Sequence, residues 1–490
     1  DPNFPTNSGG VGGTYFGTGS YWEYNRASFF GRINYNFNDR YLFQFTFRED
    51  GSSKFGADSR WGFFPSVAVG WRISEEPFFP KNTVISNLKF RASWGQLGNE
   101  NALGKYDFLA RIASYNDMYM GYVQGAGSNP WTGSIARALE NRSLKWETTD
   151  TKNIGFDFSL FGNHLNGNIN YYINETRDLL ITRRIAPSAG LDNPTLNVGK
   201  MRNQGCELEL NWNDKISDFE YNVGFNISTI ANKVVALANE DQTIYGVGLK
   251  YGTEHFPTQT KVGKPIGAFY LYQADGIFQS LEEVQAHKNS KGELLQPNAQ
   301  PGDVRFKDMN GDGVIDEDDK TYSGTGIAKV EANLNLGASY KGFDFSAVIG
   351  SAFGNKLYNG IRYYYEGMNS GSNFLKTTLN AWTPTNTKTD IPRAVFGDPN
   401  QNTRESTRFL ENGDFVRLRQ VQVGYTLPKA LSKHIYCESI RFYVSAENVF
   451  TITGYSGANP EFSQGVLNSG VDRFTYPFSR SYTVGAQVSF

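Results

Sequence analysis

Apolar and polar side chains alternate along this chain with a period of two, segment after segment, and no stretch carries a helical period of comparable strength. The final nine residues are the clearest case. Tyr482, Val484, Ala486, Val488 and Phe490 fall on one side, and Thr483, Gly485, Gln487 and Ser489 on the other. Successive strand residues face opposite sides of a sheet, so one face of such a segment favours hydrocarbon and the other tolerates water. An aromatic at the terminal carboxylate is what the last strand of a barrel anchored at a membrane interface presents. This pattern predicts an outer-membrane wall.

Composition agrees with strands rather than helices as the crossing elements. Hydrophobic residues make up 39% of the 490, aromatics 15%, with 52 glycines and 28 tyrosines. No apolar run approaches the roughly 20 residues of a spanning helix. A barrel strand needs only about ten alternating residues, so a mean hydropathy of -0.48 is compatible with crossing a bilayer. The 47 basic and 49 acidic residues are dispersed, with a net charge of -2 and no basic stripe, which argues against nucleic acid as a partner. Cys206 and Cys437 are expected to be unpaired. The opening Asp1-Pro2-Asn3-Phe4 lacks the features of a signal peptide, so the chain is expected to begin downstream of its targeting information.

A hairpin is predicted where Ile33, Tyr35 and Phe37 meet Tyr41, Phe43, Phe45 and Phe47 across Asn38-Asp39-Arg40. Between the rings sit Asn34, Asn36, Gln44, Thr46 and Arg48, too polar for the core of a sandwich. Further strands are expected at 61–71, 88–94, 154–160, 167–173, 206–212, 219–227, 330–340, 343–349, 415–426, 440–450 and 482–490, about thirteen in all. Short turns at Gly162-Asn163, at 214–217 and at Lys341-Gly342 alternate with long excursions near 98–143, 182–200, 229–327, 354–412 and 449–479. Outer-membrane barrels have short periplasmic turns and long external loops, which assigns the two ends and makes 1–26 an external loop. The count requires 229–327 to be one external excursion, so its strand-like 268–278 is expected to be loop structure or half of an extra hairpin. An odd number of strands does not close an antiparallel barrel, so the chain is read as part of a larger wall.

Two groups of motifs go beyond barrel physics. The first comprises Asn38-Asp39-Arg40-Tyr41-Leu42, Arg48-Glu49-Asp50-Gly51-Ser52-Ser53-Lys54-Phe55-Gly56, Arg60-Trp61-Gly62-Phe63-Phe64-Pro65-Ser66, Gly70-Trp71-Arg72-Ile73-Ser74 and Ser93-Trp94-Gly95-Gln96-Leu97-Gly98-Asn99. The second comprises Val423-Gly424-Tyr425-Thr426-Leu427-Pro428, Ala446-Glu447-Asn448-Val449-Phe450-Thr451-Ile452-Thr453-Gly454-Tyr455 and Asn459-Pro460-Glu461. Together they resemble the SusC/RagA family of TonB-dependent outer-membrane transporters of Bacteroidetes. The resemblance implies an all-β fold, an antiparallel transmembrane β-barrel of 22 strands around a plug, of which this chain is the C-terminal part. It also implies a SusD-like surface lipoprotein as partner, oligosaccharides or peptides as cargo, and energy from TonB acting on the plug. The plug and TonB box have no counterpart here and are expected on upstream polypeptide.

One segment has metal-ligand spacing. Asp308, Asn310, Asp312, Val314, Asp316 and Asp319 occupy positions 1, 3, 5, 7, 9 and 12 of a calcium-loop template, with Gly313 at its turn. Oxygen ligands alone favour Ca2+ over zinc. Asp319 stands where a longer glutamate is usual, which admits Mg2+ as an alternative. Without an ion, the same residues would simply make side-chain turns in a polar loop. The expected role is structural.

Loop aromatics Trp131, Tyr363, Tyr364, Tyr365, Trp382, Tyr455 and Tyr476 are candidates for stacking on cargo, against the blander alternative of girdle or lid packing. Lumen-facing Arg48, Glu207, Glu209 and Glu447 need no role beyond meeting water or the plug. His164, His255, His287 and His434 lie near no nucleophile or paired carboxylate, so no enzyme is expected. The leading function is import through the outer membrane. A passive porin-like barrel and a soluble, calcium-bearing, β-rich glycan-binding protein are the rivals.

Overall fold

The computed structural model describes residues 21–80, 84–115, 133–182, 185–238, 242–251, 253–369, 373–434, 436–462 and 464–490. Among them lies a 14-stranded sheet whose main path takes thirteen strands in unbroken sequence order. These are β1 (Arg26–Phe37), β2 (Tyr41–Ser52), β3 (Trp61–Arg72), β4 (Ile85–Asn99), β5 (Glu147–Leu160), β6 (Leu165–Thr182), β7 (Thr195–Ile216), β8 (Phe219–Thr229), β9 (Val330–Tyr340), β10 (Phe343–Phe353), β11 (Phe415–Thr426), β12 (Ser439–Thr453) and β13 (Ser481–Ser489). The short strand Ala231–Ala236 pairs off this path with β7. Every strand expected from the alternation is present, with its sequence neighbours beside it. Among the described residues, no helix is long and apolar enough to cross a membrane.

Turn chemistry sets the short connections. Asn38 and Asp39 adopt φ of 52° and 54°, and the Arg40 amide donates to the Phe37 carbonyl at 3.1 Å. Lys341 and Gly342 adopt 46° and 90°. Such left-handed central residues match the twist of two joined strands, and Asn, Asp and Gly tolerate them best. The turn expected at 214–217 is displaced. Asp214, Lys215 and Ile216 pair with Tyr221, Glu220 and Phe219, and the reversal occurs at Ser217-Asp218. A Lys215–Glu220 ion pair of 2.5 Å carries the ladder through this charged stretch, whose polarity had suggested a turn.

Several strands outrun their expected limits. β7 holds 22 residues where seven alternate clearly, and the excursion expected at 182–200 shrinks because β6 ends at Thr182 and β7 begins at Thr195. At about 3.3 Å per residue, such a strand spans roughly 70 Å, more than twice a hydrocarbon core of about 30 Å. Beyond the lipid both faces meet water, so Glu175, Arg177, Lys200 and Arg202 carry no period to read.

The chain divides into two compact units. In the first (Asp1–Trp71, Arg91–Asn153, Ile173–Met201), Tyr35, Phe43 and Val69 form one cross-strand row, and all three remain exposed. On the opposite face, Phe55, Phe64, Leu103, Leu144, Trp146 and Leu180 make a small core. A Cβ on Gly98 would sit 2.1 Å from the Phe64 ring, and one on Gly62 2.5 Å from it. Both motif glycines thus make room for that ring.

In the second unit (Arg72–Phe90, Ile154–Tyr172, Arg202–Phe490), Phe345, Val423, Val444 and Val484 line up across β10, β11, β12 and β13, again all exposed. The excursions 229–327, 354–412 and 449–479 fold together above the ladder's own pairing. Strands Ile244–Tyr245, Thr258–Thr260, Ala268–Leu271 and Thr321–Thr325 form one sheet, and Leu410–Asn412, Lys356–Asn359 and Val471–Asp472 another. The strand-like 268–278 is therefore loop structure, outside the main ladder. Leu249, Phe269, Leu271, Tyr358, Tyr363, Phe409 and Val471, drawn from all three excursions, bury one another in a common core.

Candidate functional site

The 308–319 loop closes on its own backbone. The Asp308 carboxylate accepts from the Gly311 amide at 2.6 Å and the Gly313 amide at 2.9 Å. Asn310 accepts from the Asp312 amide, and Asp312 from the Val314 amide, each at 2.9 Å. Asp319 is fully buried and takes the Met309 and Asp316 amides at 2.6 and 2.8 Å. Gly311 and Gly313 hold φ of 77° and 91°, which side chains resist, and Asn289 braces the Gly313 carbonyl at 3.2 Å. The donors are all oxygen, as a hard cation requires. Among the described residues, however, no three His, Cys, Asp or Glu side chains converge as a metal-holding group.

Three of the aromatic candidates serve packing. Tyr363 is fully buried, T-shaped against Phe409 at 5.6 Å and His255 at 6.1 Å. Trp382 is buried and donates through Nε1 to Gln279 at 3.0 Å. Tyr455 is buried with its hydroxyl 2.6 Å from Asp472, where burial and that carboxylate push its pKa well up. No open ring face remains on them for cargo. Tyr364 and Tyr365 are half-buried against Phe474, and Tyr476 is exposed. Trp131 lies outside the described residues.

Buried charge, which hydropathy does not reveal, holds the excursions together. Arg362, in the helix Gly360–Tyr365 capped by Asn359, reaches Glu366 at 2.9 Å, Glu411 at 3.2 Å and Asp390 at 3.2 Å. It forms one wall of a cavity of about 710 Å³. A second cavity of the same size contains Glu405, which pairs with both His255 and Lys320. Burial pushes the Glu405 carboxyl up, but His255 and Lys320 outweigh it and hold the group below its ordinary range. Lys320 also binds Glu317 at 2.5 Å, so the end of the 308–319 loop is tied to this chain of charges.

On the ladder, the alternation breaks at one informative place. Between β10 and β11 the register jumps from Val348↔Gln420 to Ile349↔Leu418, leaving Arg419 as a bulge. Opposite it, on β12, Asn448 takes φ of 52°. A bulge inverts parity. Arg417 and Arg419 therefore leave the face of Val421 and Val423 and join the polar one, where Arg419 lies over Gly350. There Arg417 bonds Asn459 at 2.5 Å, Glu461 at 3.0 Å and Thr451 at 2.9 Å, and Arg419 bonds Glu461 at 3.0 Å. The Asn459-Pro460-Glu461 motif is thus a strap tied to the inner wall. Lower down, Arg441 grips Asp344 at 2.9 and 2.5 Å across Gly424, whose missing Cβ would stand 2.4 Å from that carboxylate. None of these arginines stood out in the sequence, although two arginines in phase with outward valines were a readable anomaly. Of the inward charges that did, Arg48 pairs with Asp50 at 2.6 Å, and Glu209 accepts from Asn168 and Asn211 at 3.0 and 2.9 Å.

Comparison with known proteins matches residues 1–449 to the family model described as TonB dependent receptor-like, beta-barrel. TonB-dependent receptor P3 of Formosa agariphila is 31% identical over 477 residues, covering 96% of this chain and 46% of its own length. TonB-dependent receptor SusC of Bacteroides thetaiotaomicron is 30% identical, covering 95% of this chain and 44% of its own. Among solved structures, that of the RagAB peptide transporter superposes with a TM-score of 0.77 at 27% identity, over 95% of this chain and 48% of that one. The chain spans about half the length of the relatives it matches. An outward apolar row in each unit, a polar opposite face and this match over nearly all the sequence place it in the outer membrane of a Gram-negative, Bacteroidetes-like cell. It belongs to the TonB-dependent receptor β-barrel family, in company with SusC and RagA, a family of transporters rather than enzymes.

Proposed function

We propose that this chain is the C-terminal barrel portion of an active importer, working with plug-bearing upstream polypeptide, with TonB, and with a SusD-like lipoprotein seated on the external loops. Its cargo is a peptide or an oligosaccharide. The observation that carries this reading is the common core of the three excursions. Loops that bury a shared core form a rigid platform, which a docking partner needs and a passive pore does not. Likeness to a transporter described as a peptide importer supports peptide cargo, and the relation to SusC keeps the wider class in view.

The test is uptake by cells carrying the full-length transporter. Import of labelled peptides or oligosaccharides should require both the transporter and TonB. Uptake that persists without TonB would favour a passive pore, and a protein that stays in solution without detergent would favour a soluble binding protein. Within this reading, Asp308, Asn310, Asp312, Asp316, Asp319 and the Val314 carbonyl would hold a calcium ion, or magnesium, whose contribution is to stiffen the platform. Calcium added to the chelated transporter should then slow proteolysis at 308–319, and Asp312→Ala should abolish the effect. Equal cleavage with and without the ion would remove the metal.

A further inference from the structure

Ser217-Asp218 and Lys341-Gly342 reverse the chain in two residues each, whereas 427–438 inserts the helix Lys429–His434 between β11 and β12. Antiparallel order puts all three connections at one end of the ladder, the end that short turns mark as periplasmic. The long insert folds over the outside of the wall. Ile440 shares the parity of the outward Phe442 and Val444, which are 51% and 55% exposed, yet it is itself only 6% exposed. The helix packs on β12, and Ser432 within it is fully buried, its hydroxyl 3.3 Å from both the Lys429 and the Glu438 carbonyls.

Grease and positive charge are what the insert leaves uncovered. Leu431 is 55% exposed and Tyr436 92%. Tyr436 ends the turn at φ of 56°, a left-handed position that a bulky side chain resists and glycine ordinarily takes. Lys429 and Lys433 are exposed beside them, and neither ammonium group meets a carboxylate among the described residues. Two other lysines at this end are paired, Lys215 with Glu220 at 2.5 Å and Lys341 with Asp218 at 3.8 Å. Within 427–438, Glu438 is the lone carboxylate against Lys429, Lys433 and His434. The apolar wall continues down to this level, where the Phe343 and Tyr425 rings lie 4.5 Å apart and Phe442 is next in the row. Aromatic rows of this kind sit where hydrocarbon gives way to headgroups. A helix that leaves the outer side of the wall at that depth enters the headgroup layer, where leucine and tyrosine reach the acyl boundary and ammonium groups meet phosphate.

We propose that 427–438 is an in-plane lipid anchor that binds anionic phospholipid headgroups of the periplasmic leaflet, with Lys429 and Lys433 on the phosphates and Leu431 and Tyr436 in the acyl boundary beside them. The anchor fixes the height of this part of the wall in the bilayer. It goes beyond the import reading and stands on the membrane placement alone.

The experiment uses the full-length transporter in lipid nanodiscs, with Cys206→Ser as background and a fluorophore attached through Ala430→Cys or, as the reference in a tight turn, through Asp218→Cys. Quenchers are iodide in the water and, in the bilayer, phosphatidylglycerol or phosphatidylcholine bearing a nitroxide high on the acyl chain. The label at 430 should be quenched by lipid and shielded from iodide, with the reverse at 218. Phosphatidylglycerol should be preferred over phosphatidylcholine at 430 by about fivefold, and Lys429→Glu combined with Lys433→Glu should bring that preference to parity while thermal unfolding is unchanged. Iodide access at 430 equal to that at 218 would overturn the proposal and leave a periplasmic protein as the partner of this face. Equal quenching by the two lipids, or a preference that survives loss of both lysines, would overturn it as well.

Discussion

Arg417 illustrates how single residues carry this structure. Its side chain is 4% exposed, and it is kept in that position by a carboxylate, an amide and a hydroxyl from two other segments. Removing a buried charge's partner leaves the others unsatisfied, but Glu461 is partly exposed and can rehydrate. Arg417→Leu should therefore cost about 2 kcal/mol, seen as a lower unfolding temperature in detergent and faster proteolysis of the 454–462 strap. Glu405 makes a pH prediction. Its folded pKa lies below the ordinary value of 4.5 because His255 and Lys320 overcome the cost of burial, and Arg404 and Tyr272 line the same cavity. A depressed carboxyl contributes stability above its unfolded pKa and loses it as pH falls through the folded one. Protease resistance of the excursions should thus decline as pH falls below about 4.5. Glu405→Gln should lower the neutral-pH resistance and flatten the acid decline.

Among the elements, the bulge in β11 separates what local sequence reveals from what it hides. Without the bulge, strand parity would put Arg417 on the apolar face, at about 2–4 kcal/mol if near the midplane and about 0–1 near the interface. Deleting Arg419 removes only the extra residue and leaves Leu418 opposite Ile349 and Arg417 opposite Gly350, so the deletion, like Arg419→Gln, should still yield folded transporter in the membrane, whereas a sharp fall for the deletion would contradict the bulge. The thirteen strands were legible because alternation and turn residues act over a few positions, and both are local. The bulge was not read, although Arg417 and Arg419 sharing the parity of the outward Val421 and Val423 was its one local sign. Nor was the lid. Leu249, Tyr358 and Val471 are more than a hundred positions apart, and a buried Tyr363 looks, in sequence, like an exposed one. The charges of Arg362 and Glu405 were equally silent, because an ion pair is defined by a partner that the local pattern does not name. At 308–319 the reverse holds: spacing and glycines were plain in the sequence, and the loop takes the turns they imply.

For the molecule as a whole, the governing fact is an exposed apolar surface that no soluble protein would leave bare. Phe345, Val423, Val444 and Val484 form a single row across four strands, and the next residue along each strand faces the other way. Hydrocarbon outside and water inside account for both faces at once, and for a mean hydropathy that stays negative. Phe345 and its neighbour Ser346 test this most directly, since both are exposed and they lie on opposite faces of β10. Nitroxide labels would be placed at each position in turn, in the full-length transporter reconstituted into lipid nanodiscs. Relaxation by oxygen dissolved in the bilayer should dominate at 345, and relaxation by a water-soluble nickel chelate at 346. Equal access to the nickel reagent at both positions, or the opposite preference, would contradict a membrane-spanning wall and with it the proposed import.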